Sequence, residues 1–366
     1  MRVSVVPEEI PKLHGVKVIV EHGAGEPSGH PDSDYTKQGA SVVSSAADLY
    51  GQADLVLKVQ PPAPGEAAQF KEGAVLISFL YPISNLDSVI SLGHRRATAF
   101  AMELMPRISR AQQMDALSSQ SMISGYKAAV IAADSLPRLF PMSITAAGTI
   151  TPAKVLVIGA GVAGLEAISV AKRLGAVVVG YDVRPAAKEQ VESLGARFLE
   201  LKTQAKEAQD KGGYAQAQSE EFYQAQQQLL ADAARASDVV ITTALVPGRR
   251  APVLVSEEAV RGMRPGSVVV DLAAEQGGNC VLTEPGKTVV KYGVTIHGPI
   301  NLPSAAAPEA SQLYSRNITS FLLTMLREGN LNIDLRDELV RGPLVMDKGN
   351  VVHEPTQTAL RERGPP

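Results

Sequence analysis

The chain has 366 residues, with 35 basic and 38 acidic side chains, 45% hydrophobic residues and one cysteine. At about 150 residues per domain, this length predicts two or three domains, each large enough to bury a core. The net charge of -3 gives no broad positive field, which disfavours nucleic acid or an anionic membrane as the main ligand. The single thiol, Cys280, excludes an internal disulfide and fits a reducing cytoplasm.

No stretch of the sequence is apolar for long enough to cross a bilayer. The longest nearly uninterrupted apolar run, residues 74–80, is far shorter than the ~20 residues that a transmembrane helix needs. The hydrophobic run within residues 1–7 is too short for a secretory signal. We therefore expect a cytoplasmic chain with no bilayer segment of its own.

The first third alternates short runs of Val, Ile and Leu with turns rich in Gly and Pro, which is typical of an α/β fold with a parallel sheet. Strands are predicted at residues 17–20, 40–43, 55–59, 75–79 and 98–102. They are followed by an Ala- and Ser-rich helix, predicted from Asp115 to Asp134. No glycine-rich phosphate-binding motif occurs in this third of the sequence.

The middle of the chain predicts a second α/β unit. Its strands are predicted at residues 154–158, 177–180, 239–242 and 268–271. A polar insertion, Gln204 to Gln228, carries eight Gln residues and is unsuited to a core, so we expect a mobile segment there. It runs into a helix predicted from Glu220 to Ala236.

The end of the chain is expected to return to the first unit. Residues 311–327 have the pattern of an amphipathic helix, and the tail from Gly349 is expected to be frayed. The fold prediction is therefore α/β, with two Rossmann-like, doubly wound parallel-sheet domains and a cleft between them, which is a usual place for a ligand. The first domain is predicted at residues 1–126 plus 310–366, and the second, nucleotide-binding domain at residues 127–309.

A dinucleotide-binding motif follows the first strand of the second unit. In Gly159-Ala160-Gly161-Val162-Ala163-Gly164, the first glycine permits a tight turn and the second leaves room for a pyrophosphate. The third lets helix and strand pack closely. The phosphates then meet free N–H groups at the positive end of the helix dipole. The alternative is a purely structural turn.

An acidic residue at the end of the next strand supports the dinucleotide interpretation. Asp182 lies 18 residues beyond Gly164, close to where an acidic side chain accepts the ribose hydroxyls. Its charge would repel a 2′-phosphate, which favours NAD(H) over NADP(H). Arg184 has two interpretations, a solvated charge at the start of a helix or a phosphate contact.

Four segments together carry a family resemblance: RISRAQQMDALSSQ at residues 107–120, GAGVAG at 159–164, KEQVESLG at 188–195 and DLAAEQGGNC at 271–280. In this order they resemble the NAD(H)-binding component of proton-translocating nicotinamide nucleotide transhydrogenases. The resemblance extends from about Pro7 to beyond Phe321.

The resemblance implies a catalytic loop in the first unit. Arg107, Gln112 and Asp115 match the residues that hold the nicotinamide end of NAD(H) against the NADP(H) of a partner, and Ser118 matches a contact to the carboxamide region. From composition alone, Arg107 and Asp115 could instead form an ordinary surface ion pair.

Further cofactor contacts are implied in the second unit. Gly213 and Tyr214 match the mobile loop that closes over bound nucleotide, and Val162, Val183 and Leu245 match positions that line the adenosine half. None of the six His residues has metal-ligand spacing to another His or to the Cys, so no metal site is expected.

The resemblance also implies an assembly. Because the sequence carries one glycine motif, NADP(H) is expected on a separate partner subunit, with a membrane-embedded subunit carrying the proton. The family arrangement implies a homodimer of this component, peripheral on the cytoplasmic face of the inner (plasma) membrane.

Two other functions remain open. The chain is similar to alanine dehydrogenases, with Lys58 at the place of a catalytic Lys and Glu275 at the place of a catalytic Asp. Tyr81, however, stands where that family has a catalytic His, and oxidation of an amino acid needs a base. The third possibility is a non-catalytic NAD(H)-sensing module.

Overall fold

The computed structural model describes residues 1–201, 219–245 and 250–363. It divides into two compact units, Met1–Gln120 with Ala306–Pro366, and Ser121–Ala305. Most of the predicted insertion, residues 202–218, lies outside the described residues. Within the described ranges, no helix is both long and apolar enough to cross a membrane.

The strands in chain order are β1 (Ile19–Glu21), β2 (Ser41–Val43), β3 (Leu55–Leu57), β4 (Val75–Ser78), β5 (Thr98–Ala101), β6 (Ser143–Thr145), β7 (Gly148–Ile150), β8 (Lys154–Ile158), β9 (Val177–Tyr181), β10 (Arg197–Phe198), β11 (Val239–Thr242), β12 (Val268–Asp271), β13 (Thr288–Lys291), β14 (Val294–His297), β15 (Leu326–Arg327), β16 (Asn330–Leu331), β17 (Leu344–Asp347) and β18 (Asn350–Val351).

The α-helices are α1 (Asp32–Lys37), α2 (Ala46–Gln52), α3 (Pro64–Ala67), α4 (Leu86–His94), α5 (Ala116–Ser135), α6 (Val162–Arg173), α7 (Ala187–Ser193), α8 (Glu220–Arg235), α9 (Glu257–Arg261), α10 (Ala307–Met325), α11 (Glu338–Arg341) and α12 (Glu354–Arg363). Short 3₁₀ helices connect several of them, including one at Ser109–Met114.

The first unit is built on a five-stranded sheet of order β18-β17-β5-β4-β3. Strands β3, β4 and β5 are parallel, as the sequence predicts, whereas β17 and β18 pair antiparallel at one side. Helix α10 covers this sheet with its apolar face, and the fully buried rings of Phe100 and Phe321 meet edge to face at 5.4 Å. Burial of this face accounts for the amphipathic pattern predicted there.

The tail from Gly349 is not frayed, so that prediction is wrong. Strand β18 pairs with β17, α12 follows, and Thr356 is fully buried. The His353 ring and the Thr356 hydroxyl bond each other at 2.7 Å, and Gln357 donates to the Val351 carbonyl at 2.6 Å. Polar side chains therefore anchor a segment whose composition is typical of a solvated tail.

The second unit is a seven-stranded sheet of order β10-β9-β8-β11-β12-β14-β13, in which only β13 runs antiparallel. Its first five strands in chain order have the spatial order 3-2-1-4-5, which is that of a Rossmann fold. Strands β11 and β12 are buried along their whole length, because helices cover parallel sheets on both faces. The prediction of an α/β fold with parallel sheets is confirmed.

The order reverses between β8 and β11, and in such sheets ligands bind at this switch point, outside the carboxyl ends of the strands. Helix α5 approaches the same end very closely. A Cβ at its Gly125 would lie 2.1 Å from the carbonyl oxygen of Ala163 in α6. The start of α6 is therefore held by backbone contact as well as by its own strand.

Candidate functional site

The glycine motif forms a strained turn between β8 and α6. Gly159 has a φ of +99° and donates its N–H to the Tyr181 carbonyl at 2.8 Å. A Cβ on Gly164 would lie 1.8 Å from the Gly159 carbonyl oxygen, so no larger residue fits there. A Cβ on Gly161, by contrast, would meet nothing within 4 Å.

The start of α6 is suited to an anion. Gly161 is its N-cap and has no side chain to accept a hydrogen bond from the first N–H groups of the helix. Those groups, with the helix dipole behind them, fit a pyrophosphate in the open space beside Gly161. The residues present therefore fit the phosphates of a dinucleotide.

Thr243, which the sequence pattern did not single out, supports the turn from the next strand. Its hydroxyl donates to the Gly159 carbonyl at 3.1 Å, and it directly follows β11. Two apolar candidates near these elements, Val162 and Leu245, have 43% and 40% of their surface exposed. Exposed apolar side chains of this kind are available to an adenosine group.

The Asp182 carboxylate is already fully engaged within the chain. It accepts hydrogen bonds at 2.8 Å from the Ala160 N–H and from the backbone N–H, Nε and Nη2 of Arg184. The hydrogen bond to Asp182 raises the pKa of the Arg184 guanidinium above its ordinary value, although burial opposes this. The interpretation of Arg184 as a solvated charge is therefore wrong, because it forms a partly buried pair with Asp182. Val183 lies between them and is partly buried.

Asn279 fixes the chain after β11 and was also not singled out. It is completely buried, accepts from the Ala244 N–H at 2.9 Å, and donates to the carbonyls of Ala244 and Pro252 at 2.8 Å. Its position in the segment 271–280, one of the four that carry the resemblance, was the available signal. Asn279 thus joins the two chain ends that flank residues 246–249.

In the first unit, Asp115 and Ser118 are brought together at the start of α5. The Asp115 carboxylate accepts from the Ser118 N–H at 2.8 Å and from the Ser118 hydroxyl at 2.6 Å, which caps the helix. Arg107 and Gln112 precede them and are exposed to solvent. Gly213 and Tyr214 lie outside the described residues.

The residues at the dehydrogenase positions have other partners. The Lys58 ammonium donates to Glu66 at 2.8 Å and to the Tyr50 hydroxyl at 3.0 Å. Burial opposes the charge of Lys58, but these two hydrogen bonds outweigh it and raise its pKa. Glu275, in the second unit, is exposed and accepts a hydrogen bond from the Asn301 N–H. In the described residues, no group of three or more His, Cys, Asp or Glu side chains is placed to hold a metal ion.

Glu103 lies beneath the turn that carries Tyr81. Its carboxylate accepts from the Leu80 N–H at 3.1 Å and from the Tyr81 N–H, and Tyr81 itself has a positive φ of 42°. Burial raises the pKa of Glu103 to about 7, although the backbone hydrogen bonds oppose this shift. The carboxyl group therefore titrates near neutral pH while it holds a strained turn.

The Glu103 shift predicts a pH-dependent stability. Because its pKa is raised on folding, the folded chain binds the Glu103 proton more tightly, and stability is lost as pH rises from about 4.5 through 7. In the Glu103→Gln variant, about 3 kcal/mol of this loss should be absent. Urea denaturation between pH 5 and about 8 measures it, with exposed Glu192→Gln expected to follow the wild-type profile. Parallel profiles for wild type and Glu103→Gln would contradict the shift.

Comparison with known proteins assigns almost the whole chain. The models for the alanine dehydrogenase/PNT N-terminal and C-terminal domains match residues 1–124 and 128–354. The first of the two alpha-subunit polypeptides of the Rhodospirillum rubrum NAD(P) transhydrogenase is 50% identical, covering 96% of this chain and 94% of that protein. A crystal structure of transhydrogenase from Sinorhizobium meliloti is 46% identical, covers 96% of each chain and superposes with a TM-score of 0.86.

Alanine dehydrogenases are more distant. The Bacillus subtilis enzyme is 29% identical, covering 96% of this chain and 89% of that protein. The predicted family is confirmed: the chain belongs to the alanine dehydrogenase/PNT family, as a member of its NAD(P) transhydrogenase alpha-subunit branch.

Proposed function

We propose that this chain binds NAD(H) and passes a hydride from NADH to NADP⁺ held by a partner subunit. NAD(H) binding is assigned to the domain predicted at residues 127–309. The pyrophosphate would lie beside Gly161 on the first N–H groups of α6, and Asp182 would receive the ribose. Val162, Val183 and Leu245 would line the adenosine half, with Gly159, Gly164 and Arg184 shaping the turn; Gly213 and Tyr214 are included on the resemblance alone.

The observation that carries the choice of reaction is the state of the dehydrogenase positions. Lys58 is committed to Glu66 and Tyr50, and Tyr81 replaces the His that would act as a base. Amino-acid oxidation requires such a base, whereas the reaction NADH + NADP⁺ → NAD⁺ + NADPH moves only a hydride. The first unit therefore supports transhydrogenation over dehydrogenation of alanine.

Hydride transfer between two nicotinamides depends on position. The two C4 atoms must approach within ~3 to 3.5 Å, with water excluded. Arg107, Gln112 and Asp115 supply a cation, an amide and a carboxylate, and Ser118 adds a hydroxyl that Asp115 already orients. We assign this group to the orientation of the nicotinamide carboxamide.

The proposed assembly includes an NADP(H)-binding subunit and a membrane-embedded subunit. In it, hydride transfer is coupled to proton translocation, and this chain is peripheral on the cytoplasmic face of the inner (plasma) membrane. The coupling would be a property of the assembly, since it needs two sites whose affinities change together.

The proposed homodimer is supported by the hairpin of β6 and β7 in the second unit. Its side chains include Ile144, which is 74% exposed, and Ile150, which is 43% exposed, and Met142 immediately before it is 59% exposed. Three apolar residues on one small projection are unusual for a surface that faces only water. A second copy of the chain would cover them.

The proposed reaction is tested by mixing. The chain combined with an NADP(H)-binding transhydrogenase subunit should reduce a thio-NADP⁺ analogue with NADH, as followed by absorbance. The chain alone, given alanine and NAD⁺, should form no NADH. Alanine-dependent NAD⁺ reduction would favour the dehydrogenase alternative, and NADH binding without transfer in the mixture would favour a sensing module.

Within this mixture, the orienting loop makes a second prediction. Arg107→Ala and Gln112→Ala should each slow transfer by about 100-fold while changing the NADH dissociation constant by less than about threefold, because misplaced reactants react slowly even when bound. Gln113→Ala, at the exposed neighbouring position, is the matched control and should behave as wild type. Equal losses of rate and affinity would contradict the orienting role.

Cofactor preference depends on the charge of Asp182. Asp182→Asn keeps the shape and one acceptor but removes the repulsion of a 2′-phosphate, so the preference for NADH over NADPH should narrow by roughly tenfold. Fluorescence titration with both nucleotides measures the ratio. An unchanged ratio would mean that Asp182 serves the turn alone.

Dimer formation is checked by light scattering after gel filtration. Ile144→Asp should shift the chain from dimer to monomer, since a buried unpaired carboxylate opposes association. Val290→Asp, at an exposed strand position of the same unit, is the control and should remain dimeric. A wild-type chain that elutes as a monomer at micromolar concentration would refute the proposal.

A further inference from the structure

Asn317 lies on α10, far along the chain from the orienting loop, yet its side chain holds that loop. Its Nδ2 donates to the Gln113 carbonyl at 2.8 Å, and its Oδ1 accepts from the Ser119 hydroxyl at 2.7 Å. Asn317 is 8% exposed. One buried amide therefore connects the 3₁₀ segment that contains Gln112 to the first turn of α5.

The loop needs such an anchor because its own backbone is weakly organised. Residues Ser109–Met114 form a 3₁₀ helix, whose hydrogen bonds have poorer geometry than those of an α-helix. Ala111 and Met114 pack into the core of the first unit and fix its depth. Apolar packing does not define the rotation of the segment, whereas a directional hydrogen bond to the Gln113 carbonyl does.

The hydrogen bonds run in one direction through this cluster. Gln120 donates to the Ser119 hydroxyl at 3.3 Å and to the Ala310 carbonyl at 3.1 Å, and Ser119 donates to Asn317, which donates to Gln113. The amide orientation of Asn317 follows from this order, because its acceptor faces a hydroxyl and its donor faces a carbonyl. A carboxylate of the same shape would keep the first contact and place an oxygen against the second.

We propose that Asn317 is a positioning residue for hydride transfer, acting through the Gln113 carbonyl on Gln112 and through Ser119 on the helix turn capped by Asp115. This inference rests on the proposed function. Asn317 touches neither nucleotide; it sets the place from which the orienting side chains act. Its loss should therefore change the rate of transfer more than the affinity for NADH.

The test uses the full chain mixed with an NADP(H)-binding subunit. Asn317→Asp should lower the transfer rate at saturating NADH by about tenfold and change the NADH dissociation constant by less than about threefold. Ser119→Ala removes the second contact without a new charge and should lower the rate in the same sense by a smaller factor. It keeps the inference testable if Asn317→Asp folds poorly.

The matched control is Ser315→Ala. Ser315 lies on the same helix, is fully buried, and its hydroxyl accepts from the Val6 N–H at 2.9 Å, away from the loop. This variant should lose thermal stability but transfer hydride at the wild-type rate. A purely structural role for Asn317 would make all three variants behave alike.

The outcomes separate the two levels of the proposal. A wild-type mixture that transfers no hydride overturns the proposed function and the role of Asn317 with it. A wild-type mixture that transfers hydride, with both Asn317→Asp and Ser119→Ala at the wild-type rate, overturns the positioning role alone. Equal losses of rate and affinity in these variants overturn it as well.

Discussion

The contact between the Gly164 Cα and the Gly159 carbonyl is the constraint on which the candidate nucleotide site depends. The chain leaves β8, turns at a positive φ and enters α6 within three residues, and a single added methyl group at Gly164 would block this path. Once the turn is closed, the first N–H groups of α6 face open space beside Gly161, and Thr243 and Asp182 bond its backbone. A close approach with no room for a side chain thus produces a place with room for a phosphate.

The same turn explains why Asp182 and Arg184 belong to one unit. Asp182 accepts from Ala160 inside the turn, and Arg184 closes the other two sides of the carboxylate. A ribose that bonds Asp182 must therefore exchange with a hydrogen bond that already exists. Binding then gains the difference between two interactions, which makes it sensitive to the shape of the nucleotide rather than to charge alone.

Much of the fold could be predicted from hydrophobic runs, because buried strands of parallel sheets are continuous in apolar residues. Strands β8, β11 and β12 have the predicted bounds, and α5 and α8 are within one residue of theirs. The anchored tail could not be predicted, since β18 and α12 are held by polar contacts such as that of Gln357 with Val351. The pairing of Arg184 and the bonds of Asn279 and Asn317 were missed for a related reason: they depend on backbone groups that only the folded chain brings near.

The Lys58 ion pair also limits how this protein can change. In a lineage that shares its fold with alanine dehydrogenases, replacing Tyr81 by His would restore a ring nitrogen, but the ammonium of Lys58 would remain bound by Glu66 and Tyr50. A substrate carboxylate would have to compete with a carboxylate that is already held in place by the chain. The route between the two activities therefore requires coordinated change at several positions, and intermediate sequences would carry neither activity well.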